Sequence, residues 1–440
     1  PWAREPGFRL SGRVGAAKLG EMTPAERARD QMVSVLRSAG RLRDPAIEAA
    51  FRAVPRHEFL PDLPVEEAYA DEAVAVQRIG GVATSSASQP SMMAIMLEQL
   101  AARPGDRVLE IGAGTGYNAA LLAHIVGATG TVTSMDIDSD LVDSAARHLA
   151  AAGVDHVRLV CADGALGYPD DAPYDRIVLT VGSADVRPDW VGQLAPGGRL
   201  LLPLALRGSQ LSVALDLGSD GLLRSHSVCG CAFIRLRGIG AAPETVRSVA
   251  SGCAMQVPED AEGLPDPTAV AAVLAAPGPV RAAGVPLGPL DVWDGFGLWL
   301  ALREPHAVRL LCEDDVEPGD DDPARARSGP AAAMFPTGAG YAGPALLGPG
   351  PGLAVAGPMA GGHRWPRPAG VHAFGPDGAG PAERMLVALA AWAAAGRPRA
   401  ADLQLVVAPR PAAGLGQPGA MVPLPHAVVA ATWPGPISPR

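Results

Sequence analysis

Short apolar runs alternate with longer amphipathic stretches between residues 23 and 240, and the two periods mark out strands and helices. The run "DRVLEIG" (106–112) sets Val108, Leu109 and Ile111 between turn-forming residues and predicts a buried strand. "YNAALLAHIVG" (117–127) follows with helical character and ends on Gly127, a helix stop signal. Further strands are predicted at 130–138, 157–164, 173–183 and 194–204, alternating with helical stretches. That order predicts a doubly wound, Rossmann-like α/β fold with a mostly parallel sheet. Upstream, Thr23, Pro24 and Glu26 make a capping box, and Met32, Val33, Val35 and Leu36 continue as an amphipathic helix. A second helix is expected from Asp44 to Val54. Past residue 240, dense apolar stretches at 291–314, a helix at 382–396 and strands at 401–409 and 426–434 predict a second, smaller α+β domain. The expected division is an N-terminal extension at 1–22, a first domain at 23–240 and a second at 245–440.

Composition narrows the function classes. Most of the 53 Gly and 44 Pro lie after residue 240, as in "PALLGPGPGLAVAGP" (344–358), a composition that a linker would also show. The formal net charge of −10 argues against nucleic acid and anionic membranes as partners, since both demand a basic surface. Five scattered cysteines, Cys161, Cys229, Cys231, Cys253 and Cys312, do not suggest a disulfide framework. Cys229-Gly-Cys231 lacks the spacing of a zinc arm, so no metal is expected. With no signal-length or spanning apolar stretch, a soluble cytoplasmic monomer is expected.

The junction "VLEIGAGTGYN" (108–118) carries the chemistry. Gly112, Gly114 and Gly116 fall within five positions, although each glycine costs about 0.5–1 kcal/mol relative to alanine inside a regular element. Backbone passing close to a ligand explains the cluster, because doubly wound sheets bind ligands at the carboxyl ends of their strands. Tight helix–strand packing is the plain alternative. A nicotinamide dinucleotide is the sharper one, but the order from Glu110 to Gly116 is E-x-G-x-G-x-G and not G-x-G-x-x-G. A carboxylate beside two phosphates would repel them, whereas beside a sulfonium and an amino group it is favourable. The ligand implied is S-adenosylmethionine, the reaction methyl transfer and the fold a class I methyltransferase. Asp136 ends the next strand, where an acid can take both ribose hydroxyls. Asp163 and Gly164 end the third strand, placed for an adenine amino group, and Thr180 reaches the same rim from the fourth. The candidate cofactor set is Glu110, Gly112, Ala113, Gly114, Gly116, Asn118, Asp136, Ile137, Asp163, Gly164 and Thr180.

"VPRHEFLP" (54–61), "AYAD" (68–71) and "SASQPSMMAIML" (86–97), together with the glycine loop and "PYDRIVLT" (173–180), resemble the protein-L-isoaspartate O-methyltransferase family over roughly residues 27–240. The resemblance implies transfer of a methyl group to an aspartyl or isoaspartyl carboxylate, leaving S-adenosylhomocysteine and an ester that closes to a succinimide. Ser88, Gln89 and Pro90 match the family's Ser-Gln-Pro segment. Ser88 is then the catalytic candidate, donating a hydrogen bond that fixes the substrate carboxylate, with Ser85, Ser86 and Gln89 as substrate contacts. A carboxylate is already a nucleophile at pH 7, so catalysis is mainly alignment in a dry pocket. The plain alternative for Ser88 is capping the helix that starts at Pro90. His57 and Glu58 read as structural, and Asp71 as shaping the substrate loop.

Two departures from the family matter. A "GxGQT" run before the serine is replaced by "VQRIGGVATSSASQP" (76–90), with a longer interval from Asp71 to Ser88. About 200 residues follow the family's usual end near residue 240. Enzymes with these features resemble the branch that accompanies ribosomally made lanthipeptides, lasso peptides and graspetides and converts a chosen aspartate to an aspartimide. The resemblance implies a modified precursor peptide as substrate and a substrate-recognition role for 245–440. Repair of damaged isoaspartyl residues is the alternative, and a binding protein with a vestigial methyltransferase half is a third reading. Trp293, Trp299 and Trp392 are candidate peptide contacts, with core packing the plainer role.

Overall fold

The computed structural model describes residues 22–250, 252–313, 329–337, 340–359, 364–410 and 419–434; of the expected N-terminal extension, residues 1–21 lie outside the described residues. Helix α1 (Pro24–Ser38) opens on the capping box, Thr23 Oγ1 accepting from the Glu26 N–H at 3.2 Å and the Glu26 carboxylate from the Thr23 N–H at 2.7 Å. Asp44 caps α2 (Pro45–Ala53), and a single turn, α3 (Val65–Ala68), follows. Strands β1 (Val74–Ile79) and β2 (Val82–Ala87) form a separate antiparallel ribbon. Next come α4 (Pro90–Leu100), β3 (Arg107–Ile111), α5 (Tyr117–Val126), β4 (Thr131–Asp136), α6 (Ser139–Ala151), β5 (Val157–Cys161) and β6 (Tyr174–Leu179). The first sheet continues through α7 (Pro188–Gly192), β7 (Leu194–Leu206), β8 (Ser209–Leu217) and β9 (Leu223–Gly230).

Strands β5, β4, β3, β6 and β7 are parallel neighbours in that order, and β8 and β9 extend them antiparallel. Side chains alternate between faces: Val108 and Val178 pack with α1, α2, α4 and α5, while Leu109, Ile111, Ile177 and Leu179 pack with Trp190 on the other side. Burial on both faces is what makes these strands read as nearly continuous apolar runs. The chain folds as a doubly wound sheet, parallel from β5 to β7, with an additional C-terminal sheet.

That second sheet contains β10 (Val246–Ala250), β11 (Cys253–Gln256), β12 (Pro277–Leu287), β13 (Ala307–Cys312), β14 (Phe335–Thr337), β15 (Gly340–Leu347), β16 (Leu353–Pro358) and β17 (Arg367–Phe374). All of its pairings are antiparallel. Helix α8 (Pro267–Leu274) packs on one face, and α9 (Phe296–Ala301) with α10 (Ala379–Ala394) on the other. The Gly- and Pro-rich stretch 344–358 is the paired β15–β16 hairpin rather than a linker. Trp392 and Trp299 are buried in this core, and Trp293 lies under the Arg309 guanidinium, 5.0 Å from its ring centre.

Two expectations need correction. The chain past residue 245 is not one domain: β18 (Gln404–Pro409), β19 (Ala420–Pro423) and β20 (Ala427–Thr432) return to the first sheet. Strand β18 pairs with β9 (Val406 with Arg224), and Leu405, Val407 and Val429 join Leu215 and Leu223 in one core. Periodicity finds a strand but not its partner, and the open edge of β9 supplies one. His426, in the β19–β20 turn, binds Asp185 in the loop after β6, its backbone N–H reaching Asp185 Oδ1 at 3.1 Å. Second, Cys253 and Cys312 form a disulfide, because β11 and β13 set them directly opposite. Among the described residues no helix is long and apolar enough to cross a membrane.

Candidate active site

A cleft opens at the carboxyl ends of β3, β4 and β6, roofed by the segment 84–88 and closed on one side by the chain after β9. The glycines at its base have different jobs. Gly112 has φ +106°, and a Cβ there would lie 2.5 Å from Thr180 Oγ1, which itself donates to the Gly112 carbonyl at 2.6 Å. Gly116, at φ +87°, starts α5, and its Cβ would fall 3.2 Å from Ala145 Cβ, so the packing explanation holds for this glycine. Gly114, at φ +51°, faces open cleft, with nothing closer to a Cβ than Ser85 Oγ at 3.8 Å. Close approach of backbone to ligand fits Gly114 best.

Asp136 Oδ2 accepts the Gly114 N–H at 3.1 Å, fixing the loop against the end of β4. Ala113, Asn118, Ile137, Gly164 and Thr180 line the cleft. Glu110 does not. It is fully buried below the loop, accepting from Asn118 Nδ2 at 2.7 Å and Ser134 Oγ at 2.5 Å. Burial pushes its carboxyl up to about 7, the two hydrogen bonds opposing and nearby Asp136 adding to the rise. Its carboxylate holds the Asn118 side chain. Asp163 is also outside the cleft wall: its carboxylate accepts the Ala165 N–H at 2.9 Å and the Ile239 N–H at 2.8 Å.

Ser85, Ser86 and Ser88 line the opposite wall, and Gln89 does not, donating instead to the Asp71 carbonyl at 2.9 Å. Ser88 is not the cap of α4. Asp71 Oδ1 accepts the Ser91 N–H of the first turn at 2.8 Å, while the Ser88 hydroxyl makes no hydrogen bond among the described residues. His57 binds Tyr69 Oη at 2.9 Å, away from the cleft.

Several lining residues carry no periodic signal and were not anticipated. Among the described residues Arg56 is buried without a carboxylate partner, donating to the carbonyls of Ala68 (2.8 Å) and Ser88 (2.9 Å) over the Tyr117 ring. The Tyr117 hydroxyl is buried with no partner among the described residues. Residues 233–237 arrive because Gly182 and Leu236 exchange backbone bonds with this segment: Gly182 N–H to the Ile234 carbonyl and Leu236 N–H to the Gly182 carbonyl, both 2.8 Å. Arg237 thereby comes within 3.8 Å of Asp136 Oδ1 and 3.9 Å of Asp138 Oδ2. Gln77 of the β1–β2 ribbon donates to Asp138 at 2.7 Å, a bond that holds the Asp138 carboxyl below its usual range.

The ionisable side chains lining the cleft are Arg56, Tyr117, Asp136, Arg235 and Arg237. Three cations against one carboxylate suit an anionic substrate, and Asp136 is already engaged by the Gly114 N–H. Such a site aligns a nucleophile that needs no deprotonation.

The family model for protein-L-isoaspartate(D-aspartate) O-methyltransferase matches residues 27–239. A protein-L-isoaspartate O-methyltransferase of Methanopyrus kandleri is 39% identical over 213 residues, spanning 48% of this chain and 92% of that protein. One from Methanoculleus marisnigri is 38% identical over 218 residues, spanning 50% and 95%. A solved protein-L-isoaspartate O-methyltransferase structure aligns with 86% of this chain and 96% of its own, at 22% identity and a TM-score of 0.47.

Proposed function

Since the chain belongs to the protein-L-isoaspartate O-methyltransferase family, we propose that it esterifies an aspartyl-type carboxylate within a polypeptide. As a member it is an S-adenosylmethionine-dependent carboxyl O-methyltransferase. The observation that carries the polypeptide reading is the cleft itself, where the Gly114–Asp136 base faces the Ser85–Ser88 wall under a surplus of arginine. S-adenosylmethionine supplies an electrophilic methyl group on a sulfonium, which the substrate oxygen takes. Asp136 would hold the ribose hydroxyls, the backbone of 112–114 would pass along the cofactor, and Ile137 and Gly164 would flank its base. Ser88 would donate to the substrate carboxylate, and Arg56 would hold the Ser88 carbonyl in place from below.

Different observations favour two substrates. The ribbon departs from the family's usual run, with Ile79 and Val82 exposed at its tip, and the chain carries a second sheet. They support a specialised substrate, an aspartate of a macrocyclised, ribosomally made peptide that goes on to the aspartimide. The names of the relatives support isoaspartyl residues of damaged proteins as the second reading. Mass spectrometry decides between them: the protein is given S-adenosylmethionine with an isoaspartyl peptide and, separately, with a cyclised aspartyl peptide. Methylation of the isoaspartyl peptide alone would discard the maturation reading.

A further inference from the structure

A second, polar cavity of about 60 Å³ lies at the junction of the two sheets, and Arg235 lines both it and the methyl-transfer cleft. The loop after β6 joins them as well, Thr180 and Val181 facing the cleft and Gly182 and Ser183 the cavity. Most of the cavity's polar side chains are spoken for. Ser183 donates to the Asp185 carbonyl at 2.8 Å, Gln210 Nε2 to the Phe233 carbonyl at 3.2 Å, and Arg235 to Thr245 Oγ1 at 2.5 Å. Ser209 accepts from Arg309 and donates to the Trp293 carbonyl. Gln256 is the exception: its Oε1 is buried and has no partner among the described residues. A buried acceptor left unpaired costs about 1–3 kcal/mol, so a site that retains one calls for a donor from elsewhere.

The neighbouring charges say what kind of donor. Glu259, in the same cavity, accepts from the Gly208 N–H at 3.1 Å and from its own backbone N–H, and burial raises its carboxyl above the ordinary range. Arg235 lines the cavity, and buried Arg309 binds its Ser209 and acts on Glu259, so a full cation would meet two guanidiniums. An anion would meet Glu259 and the bare Gln256 oxygen. A neutral group with two N–H donors, a carboxamide, matches two acceptors without a charge penalty.

On the reading that the cleft methylates a polypeptide carboxylate, we propose that this cavity is a specificity subsite that receives an asparagine or glutamine side chain of the same polypeptide, through Gln256 Oε1 and Glu259. The second sheet then contributes to substrate choice through Thr245, Gln256 and Glu259, while the first sheet holds the reacting groups.

The test uses the full chain, S-adenosylmethionine and pooled synthetic decapeptides, half with a central aspartate and half with a central isoaspartate, all other positions randomised. Methylated products are sequenced by tandem mass spectrometry. The expected result is enrichment of asparagine or glutamine, by about tenfold, at one fixed offset from the methylated residue. Gln256→Leu should abolish that enrichment, with calorimetric binding of S-adenosylmethionine reporting that the protein is folded. Gln256→Glu, which adds a second carboxylate, should move the selection to lysine or arginine, an outcome that a purely structural Gln256 would not produce. Methylation with no enrichment in the wild type, or enrichment that survives both substitutions, overturns the subsite. No methylation of either pool overturns the subsite, and the polypeptide reading falls with it when a cyclised aspartyl peptide is left unmethylated as well.

Discussion

The backbone N–H of Gly114 donates to Asp136 Oδ2 at 3.1 Å, tying the tip of the glycine loop to the end of the neighbouring strand. One carboxylate thus shapes the loop and faces the cleft. Asp136→Ala is expected to weaken S-adenosylmethionine binding by about 1.5–3 kcal/mol, the scale of charge-assisted hydrogen bonds. Calorimetry giving wild-type affinity would take Asp136 out of the ribose role.

Two glycines of the same loop should fail in different ways. Gly116→Val puts a branched side chain at φ +87° against Ala145, and a loss of about 2–4 kcal/mol in urea unfolding is expected. Gly114→Val has open space above it, so more of its effect should fall on cofactor binding than on folding. A Gly114→Val protein that binds S-adenosylmethionine normally would argue against close approach at this position.

Ser88 and Asp71 divide what the sequence left joined. Asp71 caps α4, and Asp71→Ala should cost about 1 kcal/mol of stability. Ser88→Ala should leave stability unchanged and lower the methyl-transfer rate roughly 10–150-fold, one hydrogen bond to a charged group. Wild-type turnover in Ser88→Ala would remove it from the substrate wall.

Glu110 gives the protein a pH dependence of known sign. Its carboxyl titrates at about 7 when folded, against an ordinary 4.5. The folded state therefore binds the proton more tightly, so this contribution to stability is fully present below about pH 4.5 and is lost as pH rises through 7. The shift corresponds to a loss on the order of 3 kcal/mol at about 1.36 kcal/mol per unit. Urea unfolding of wild type and Glu110→Gln at pH 5 and pH 8 should show the variant losing less stability over that interval. Parallel losses in the two proteins would mean that Glu110 does not titrate there.

Cutting the chain near residue 240 does not isolate the methyltransferase. It would strip β18 from β9 and remove Leu405, Val407 and Val429 from the first core. The truncated protein is expected to be insoluble or to unfold without a cooperative transition, as followed by circular dichroism. A stable, cofactor-binding fragment ending at 240 would show that the returning strands are dispensable.

The alternation of strand and helix from β3 to β7 was legible because the inner parallel strands β3, β4 and β6 are largely buried and bounded by turns. Asp136 was legible because a strand end is where a doubly wound sheet presents an acid. Glu110 was misplaced for a related reason: a run buried on both faces does not tell which side chain points at the loop, and Glu110 shares the face of Val108, under α5. Arg56, Arg235, Arg237 and Gln256 left no signal, since the cleft and the cavity beside it are assembled from segments far apart in the chain. The same limit hid the pairing of β18 with β9, as any strand of similar pattern could have taken that edge.

The return of β18 and β20 to the first sheet has a consequence for synthesis. Translation proceeds at about 5–20 residues per second, so β18 reaches the ribosome exit roughly 10–40 s after β9. During that interval the methyltransferase sheet carries an open edge, and the whole second sheet is made before the first can be closed. The nascent chain would need a temporary cover for β9 throughout that time, and depleting ribosome-associated chaperones should therefore lower soluble yield of this chain more than that of a relative ending at the position of residue 239.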